Sequence, residues 1–193
     1  MEFHYADIMA QEQRYRACFI NSIGGFKSVV LVGTKNKIGQ TNLAVFNSFF
    51  HLGANPPLFG LIVRPDSVER HTLSNILETG KFSVNHINEN IYVKAHQTSA
   101  RYPREHSEFI STGLTEEYLN DSALPFVKES FIKIGAELKQ KIDIQENNTI
   151  MLISCITSIS IPDNCLMPDG FVDIQKAGTI TCSGLDAYYT TNK

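Results

Sequence analysis

Apolar and polar positions along this chain alternate in short runs, with a few stretches of helical spacing between them. The segment Cys18 to Thr34 reads as extended. It is broken at Ser22 to Gly25 and resumes at Val29-Val30-Leu31-Val32, a β-branched run between glycines. Lys35 to Gly39 predicts a turn and a hairpin into a strand over Asn42 to Phe46. Pro56 and Pro57 exclude a central strand where they stand. The unbroken apolar run that follows, Leu58 to Arg64, predicts a strand buried on both faces. Over Thr72 to Thr79 the pattern turns helical, with Leu73, Ile76 and Leu77 on one side and Gly80 placed as terminator. A strand over Phe82 to Ile87 and a helix over Ile91 to Ala100 come next. Tyr102 to Ser122 is polar and mixed, which predicts loop with short helical turns. Phe131 to Ile144 alternates and pairs with Thr149 to Ser160 through a turn at Gln145 to Asn148. Phe171 to Ile174 closes the pattern as a short strand or helix.

Six or seven strands with a few short helices, in no regular alternation, disfavour a doubly wound parallel sheet. They predict a mainly β fold, a mostly antiparallel β-barrel with peripheral helices. At 193 residues, 42% of them hydrophobic, the chain is expected to be a single domain, 1–193, with a sizeable core. A formal net charge of -3 and scattered basic residues exclude a nucleic-acid-binding face. No signal-like or membrane-spanning apolar segment appears, so no membrane partner and a cytoplasmic location are expected. Cys18, Cys155, Cys165 and Cys182 form no close pair and are expected to be free, buried thiols.

The candidate chemistry lies between Asn42 and Gly80. A buried strand delivers Arg64 just before a helix that starts near Thr72. An arginine fork beside free helical N–H groups suits a phosphate. Thr72 is read as the helix N-cap, with His71 an added donor and Asn75 one turn further on. The plain alternative is a surface arginine at a strand end and an ordinary cap. Upstream, Asn47, Ser48 and Phe49 form a polar-aromatic loop suited to a flat heteroaromatic ring, although the phenylalanines there are more readily core residues. Ser99 and Arg101, in a polar-cationic stretch after the second helix, are further candidates for the phosphate. Six histidines show no metal spacing, and neither a nucleophile elbow nor a phosphate loop is present, so no metal and no catalytic side chain is assigned.

Taken in order, these pieces resemble the flavin reductase-like family. They are N-L-A-x-x-x-S-F-F at Asn42 to Phe50, N-P-P and an apolar strand at Asn55 to Val63, then Arg64, T-x-x-N-I at Thr72 to Ile76, and T-G-x-F-x-V-N at Thr79 to Asn85. Ser99 with Glu108-Phe109, and the tail Gly184 to Tyr189, complete the resemblance, which covers about residues 14 to 190. Val45-Phe46-Asn47 stands where many members are expected to carry Ala-Pro-Tyr, which bears on the ring contacts. The resemblance implies an FMN-binding split β-barrel of Greek-key type that acts as a homodimer. It implies non-covalent FMN near the subunit interface. Asn47, Ser48 and Phe49 would line the ring, and Arg64, Thr72 and Asn75 would surround the phosphate, with His71 nearby. It further implies an NAD(P)H:flavin reductase, with NADH or NADPH passing hydride to flavin N5. A non-catalytic FMN carrier or sensor is the alternative from another class, and an oxidase of a phosphorylated vitamin is a third.

Overall fold

The computed structural model describes residues 1–65, 67–119 and 122–192. Two helices, α1 (Tyr5–Ala10) and α2 (Gln13–Ile23), precede a short strand β1 (Lys27–Ser28). The strands β2 (Val30–Lys35), β3 (Thr41–Phe46), β4 (Phe49–Ala54) and β5 (Pro57–Val63) follow. Next come α3 (His71–Thr79), β6 (Lys81–His86), α4 (Tyr92–Gln97), α5 (Glu108–Thr112) and the short pair β7 (Glu116–Glu117) and β8 (Phe126–Val127). The long hairpin β9 (Lys133–Ile144) and β10 (Thr149–Ser160) leads through a 3-10 turn at Asp163–Cys165 to β11 (Thr181–Ser183) and β12 (Ala187–Tyr189). Seven strands pair antiparallel in the order β3-β2-β6-β9-β10-β5-β4, and β1, β11 and β12 form a second small sheet. The mainly β expectation therefore holds.

Period-two alternation on β2 builds two cores. Val30 and Val32 face the barrel interior with Phe59, Leu61, Val63, Phe82, Val84, Ile134 and Leu152. Val29 and Leu31 face an outer layer with Leu43, Ile87, Ile91, Ala95, Phe109 and Cys182. The strand buried on both faces is thus β2. On β5, Phe59, Leu61 and Val63 are buried, while Leu58 and Ile62 are half-buried. Its second face is partly covered by β4, where a Cβ at Gly60 would run into the Phe50 ring. The prolines sit at the β4–β5 turn, and Pro57 opens β5 beside the edge strand.

Four other expectations change. Cys18 to Ile23 is helical, because the Glu12 carboxylate accepts the Arg14 and Tyr15 N–H groups at 2.9 and 3.0 Å and starts α2. The helix read over Ile91 to Ala100 stops at Gln97, with Thr98 as its C-cap. The Phe171 to Ile174 stretch is no named strand; Val172 makes an isolated bridge to Leu166. Within the stretch read as loop, α5 and β7 form, while Asn120 and Asp121 lie outside the described residues. The cysteines are free, but only Cys165 and Cys182 are buried as expected; Cys18, on the surface helix α2, is exposed, and Cys155 is half-buried. No helix among the described residues is long and apolar enough to cross a membrane.

Candidate anion site at the start of α3

Strand β5 ends at Val63, and Arg64 follows directly into the loop that leads to α3. The helix itself starts at His71, with Arg70 in extended conformation at the N-cap position and no side-chain cap bond. Ser74 N–H donates to the Arg70 carbonyl at 2.9 Å, so the N–H groups of His71, Thr72 and Leu73 precede the first helical bond. Gly80, in the left-handed region at φ 71°, ends the helix as its C-cap. Leu73 and Ile76 fix α3 onto the barrel; Leu77 is 48% exposed, and Asn75 takes the inward place instead.

Thr72 is not the cap that its residue type suggested. It is buried, and its Oγ1 accepts the Asn42 Nδ2–H at 2.9 Å, tying α3 to β3. Asn75 is buried as well. Its Nδ2 donates to Thr34 Oγ1 at 3.0 Å, and its Oδ1 accepts from Arg104 at 3.0 Å. Arg104 also pairs with Glu69 at 2.8 Å, and Glu69 stands 3.6 Å from His71 Nε2. The hydrogen bond from Arg104, then the charge of His71, hold the Glu69 carboxyl below its ordinary range. This network fixes the first turn of α3 against β2 and the 101–107 loop.

Among the described residues, cations are in excess at this end. Arg70 donates its Nε–H to the Pro65 carbonyl at 3.2 Å. Partial burial, followed by the charges of Arg64 and Arg101, lowers the pKa of Arg70. Arg64 and Arg101 are exposed. Arg64 and Arg101 thus stand near enough to Arg70, at the helix N-terminus, for their charges to act on it, and Glu69 is engaged by Arg104. Such a set suits a phosphate, which guanidinium forks grip bidentately. Ser99 sits in the turn after α4, exposed, two residues before Arg101, with its N–H on the His96 carbonyl at 2.9 Å.

Of the stretch read as a polar-aromatic loop, only Asn47 and Ser48 lie in the turn between β3 and β4; Phe49 and Phe50 open β4, and all four are half-buried. Asn47 Nδ2 donates to the Gly184 carbonyl at 3.1 Å, and Ser48 Oγ donates to the Ile62 carbonyl at 2.7 Å. Phe49 packs on Phe59 with ring centroids 4.9 Å apart, against the barrel core. The Gly184 carbonyl also accepts from Lys27 Nζ at 2.9 Å, so the loop, β1 and the tail meet at one atom. Behind β3, the buried Glu108 carboxylate accepts the Leu43 N–H at 2.9 Å. Burial pushes its pKa up, against that bond. A separate hollow of about 200 Å³, lined by Tyr92, Val93, His96, Asp186 and Tyr188, includes none of the predicted site residues. Among the described residues no cluster of His, Cys, Asp or Glu is arranged to hold a metal.

Of the residues read as one site, His71, Thr72 and Asn75 lie on α3, with Thr72 and Asn75 buried and bonded to Asn42, Thr34 and Arg104, while Arg64 and Arg101 are exposed and close enough for their charges to act on Arg70. Sequence reasoning missed Arg70 and Arg104. Arg70 carried a usable signal, because it directly precedes the helix. Arg104 carried none, since only the fold brings it to Asn75.

An uncharacterised protein of Halalkalibacterium halodurans is 29% identical over 177 residues, covering 88% of this chain and 82% of its own. Crystallographic relatives share the fold closely. A candidate flavin reductase with a split barrel domain from Shewanella frigidimarina superposes with a TM-score of 0.96 at 49% identity, over 100% of this chain and 96% of its own. Nitrilotriacetate monooxygenase component B from Bacillus cereus superposes with a TM-score of 0.87 at 22% identity, over 100% of this chain and 96% of its own. The family model for the flavin reductase like domain matches residues 25–173, and the chain belongs to that family.

Proposed function

We propose that this protein binds FMN without a covalent link and reduces it with hydride taken from NADH or NADPH. The observation that supports this most is Arg70 at the N-cap position of α3, near enough to Arg64 and Arg101 for their charges to lower its pKa. A phosphate monoester carries about -1.5 to -2 charges near neutral pH, which would neutralise most of that excess. The residues present therefore fit the phosphate of FMN. One such cluster and no evident adenine site favour FMN over FAD.

When bound, the flavin supplies the redox chemistry, and the chain's own residues bind and orient it. Arg64, Arg70 and Arg101 would hold the phosphate together with the first N–H groups of α3, with Ser99 and His71 as further candidates. Asn75, Arg104 and Glu69 position that grip, since the Asn75 amide is already shared between Thr34 and Arg104. Thr72 holds α3 to β3 through Asn42. At the ring, the Asn47 and Ser48 side chains brace the loop from within, so its main chain would supply the polar contacts, with Phe49 packed behind it against Phe59. The protein acts as one domain in the cytoplasm, as a homodimer, and no general acid or base is needed.

Titration of the purified protein with FMN, FAD and riboflavin tests this reading. FMN should bind tightest. Equal or tighter binding of FAD would overturn the single-phosphate argument. The carrier or sensor alternative uses the same residues, and turnover with a nicotinamide separates the two.

A further inference from the structure

Helix α4 and the β11–β12 hairpin meet over the small hollow noted above. Ile91 and Ala95 bury one face of α4 in the outer core, which leaves Tyr92, Val93 and His96 exposed on the other side. Tyr188 pairs with Cys182 across the hairpin and packs on the same core. Gly184, at φ 63°, makes the tight turn that brings Asp186 to the rim. The Tyr188 ring centroid lies 5.6 Å from that of Tyr92 and 5.7 Å from that of His96, edge to face with the imidazole. The Tyr188 hydroxyl and His96 Nδ1 share a hydrogen bond at 2.8 Å, which fixes both rings. Three rings, Val93 and one carboxylate thus wall a space of about 200 Å³. None of the residues assigned to the flavin lines it.

Charge and size select the ligand. Aromatic rings present a negative face to a ligand above them. Asp186 adds a full negative charge, and among the described residues it has no ion pair. Burial, then Cys182, then the Asp186 charge push the Tyr188 phenol up to about 12, which puts that carboxylate within electrostatic reach of the ring. Basic side chains on the flanking elements are engaged elsewhere. Lys94 donates to the Gly113 carbonyl at 2.8 Å, and Lys27 to the Asn21 and Gly184 carbonyls at 3.3 and 2.9 Å. One carboxylate among rings does not suit a hard metal ion, which takes about six oxygen ligands. Pockets for drug-sized ligands run to about 300–1,000 Å³, so this hollow takes a head group rather than a flavin or a dinucleotide.

We propose that this hollow binds a free, small organic cation, a quaternary ammonium ion, among the Tyr92, His96 and Tyr188 rings with Asp186 as its counter-ion. A quaternary ammonium has no N–H to satisfy, so rings and a single carboxylate meet all its needs. A primary ammonium would leave donors unpaired there. The seat is joined to the ring-side loop, because Gly184, two residues before Asp186, gives its carbonyl to the Asn47 amide at 3.1 Å. The cation site goes beyond the flavin reading, and its test needs no flavin.

The test is a proton NMR titration of the full chain with choline and, separately, with dimethylbutanol, the neutral isostere that has carbon in place of nitrogen. The choline methyl resonance should move upfield under the ring currents, with a dissociation constant at about the millimolar level. The neutral isostere should bind at least about tenfold more weakly. Asp186→Asn should raise the choline dissociation constant about two- to fivefold, and Tyr92→Leu about 2- to 30-fold. Both residues are exposed, so the fold is spared. The comparison of the two isosteres uses the wild type alone and stands even if a variant fails to fold. No upfield shift, equal binding of the isosteres, or a choline affinity that neither substitution changes would overturn the site. Co-sedimentation with phosphatidylcholine vesicles without any response to free choline would overturn it as well, by assigning the rings to a lipid head group.

Discussion

Replacing Arg70 with alanine separates ligand binding from folding at the proposed phosphate site. Among the described residues the Arg70 side chain makes one hydrogen bond, to the Pro65 carbonyl, and it suffers from partial burial and from the charges of Arg64 and Arg101. Losing the bond costs about 0.5–1.5 kcal/mol, and relief of the like-charge crowding offsets part of it. The ligand-free Arg70→Ala protein should therefore be within about 1 kcal/mol of wild type in urea unfolding. FMN binding should behave differently. A charge-assisted hydrogen bond is worth about 1.5–3 kcal/mol, so FMN affinity should fall by about 10- to 150-fold. Riboflavin lacks the phosphate and should bind almost as before. Fluorescence titration with both ligands, repeated at low and high salt, measures this, and the FMN loss should shrink as salt rises. Equal losses for FMN and riboflavin would refute the reasoning, as would large destabilisation of the ligand-free variant. Arg64→Ala should show the same contrast between ligands.

Other predictions concern groups behind the site. Thr72→Val leaves the buried Asn42 amide without its acceptor and should cost about 1–3 kcal/mol of stability in urea unfolding. Burial raises the Glu108 pKa in the folded state, so its contribution to stability is present at acid pH and is lost as pH rises through the raised value. Glu108→Gln keeps an acceptor for the Leu43 N–H and should flatten that decline, whereas Glu108→Ala should cost about 1–3 kcal/mol. Burial lowers the His86 pKa from 6.5 to about 4, so stability should fall as pH drops through that window. A pH series of thermal unfolding on His86→Gln should lose this component.

The fold was legible wherever the pattern had one explanation. The twelve-residue strands β9 and β10, the hairpin of β2 and β3, and the helix ended by Gly80 all follow from alternation, turn residues and a glycine in left-handed conformation. Helix α2 was misread because Cys18 to Ile23 has β-like residues, and the carboxylate that starts the helix lies six residues earlier, at Glu12. The apolar run of β5 suggested burial on both faces because composition cannot tell a covered face from one shared with an edge strand. At the site, Arg64 was visible beside its strand end. Thr72 was read as the cap: its hydroxyl looked free, and only the position of β3 shows that Asn42 occupies it. Asn75 was read as facing a ligand, although Thr34 and Arg104, 41 and 29 residues away, share its amide. Contacts between residues so far apart leave no local pattern.

The most direct test of the central proposal is anaerobic rapid mixing of the FMN-loaded protein with NADH and, separately, with NADPH, following the flavin's visible absorption. The account predicts that at least one nicotinamide bleaches bound FMN much faster than it bleaches free FMN at the same concentration. Bleaching no faster than for free FMN, with FMN shown to be bound, would contradict the reductase and leave a flavin-binding protein without turnover.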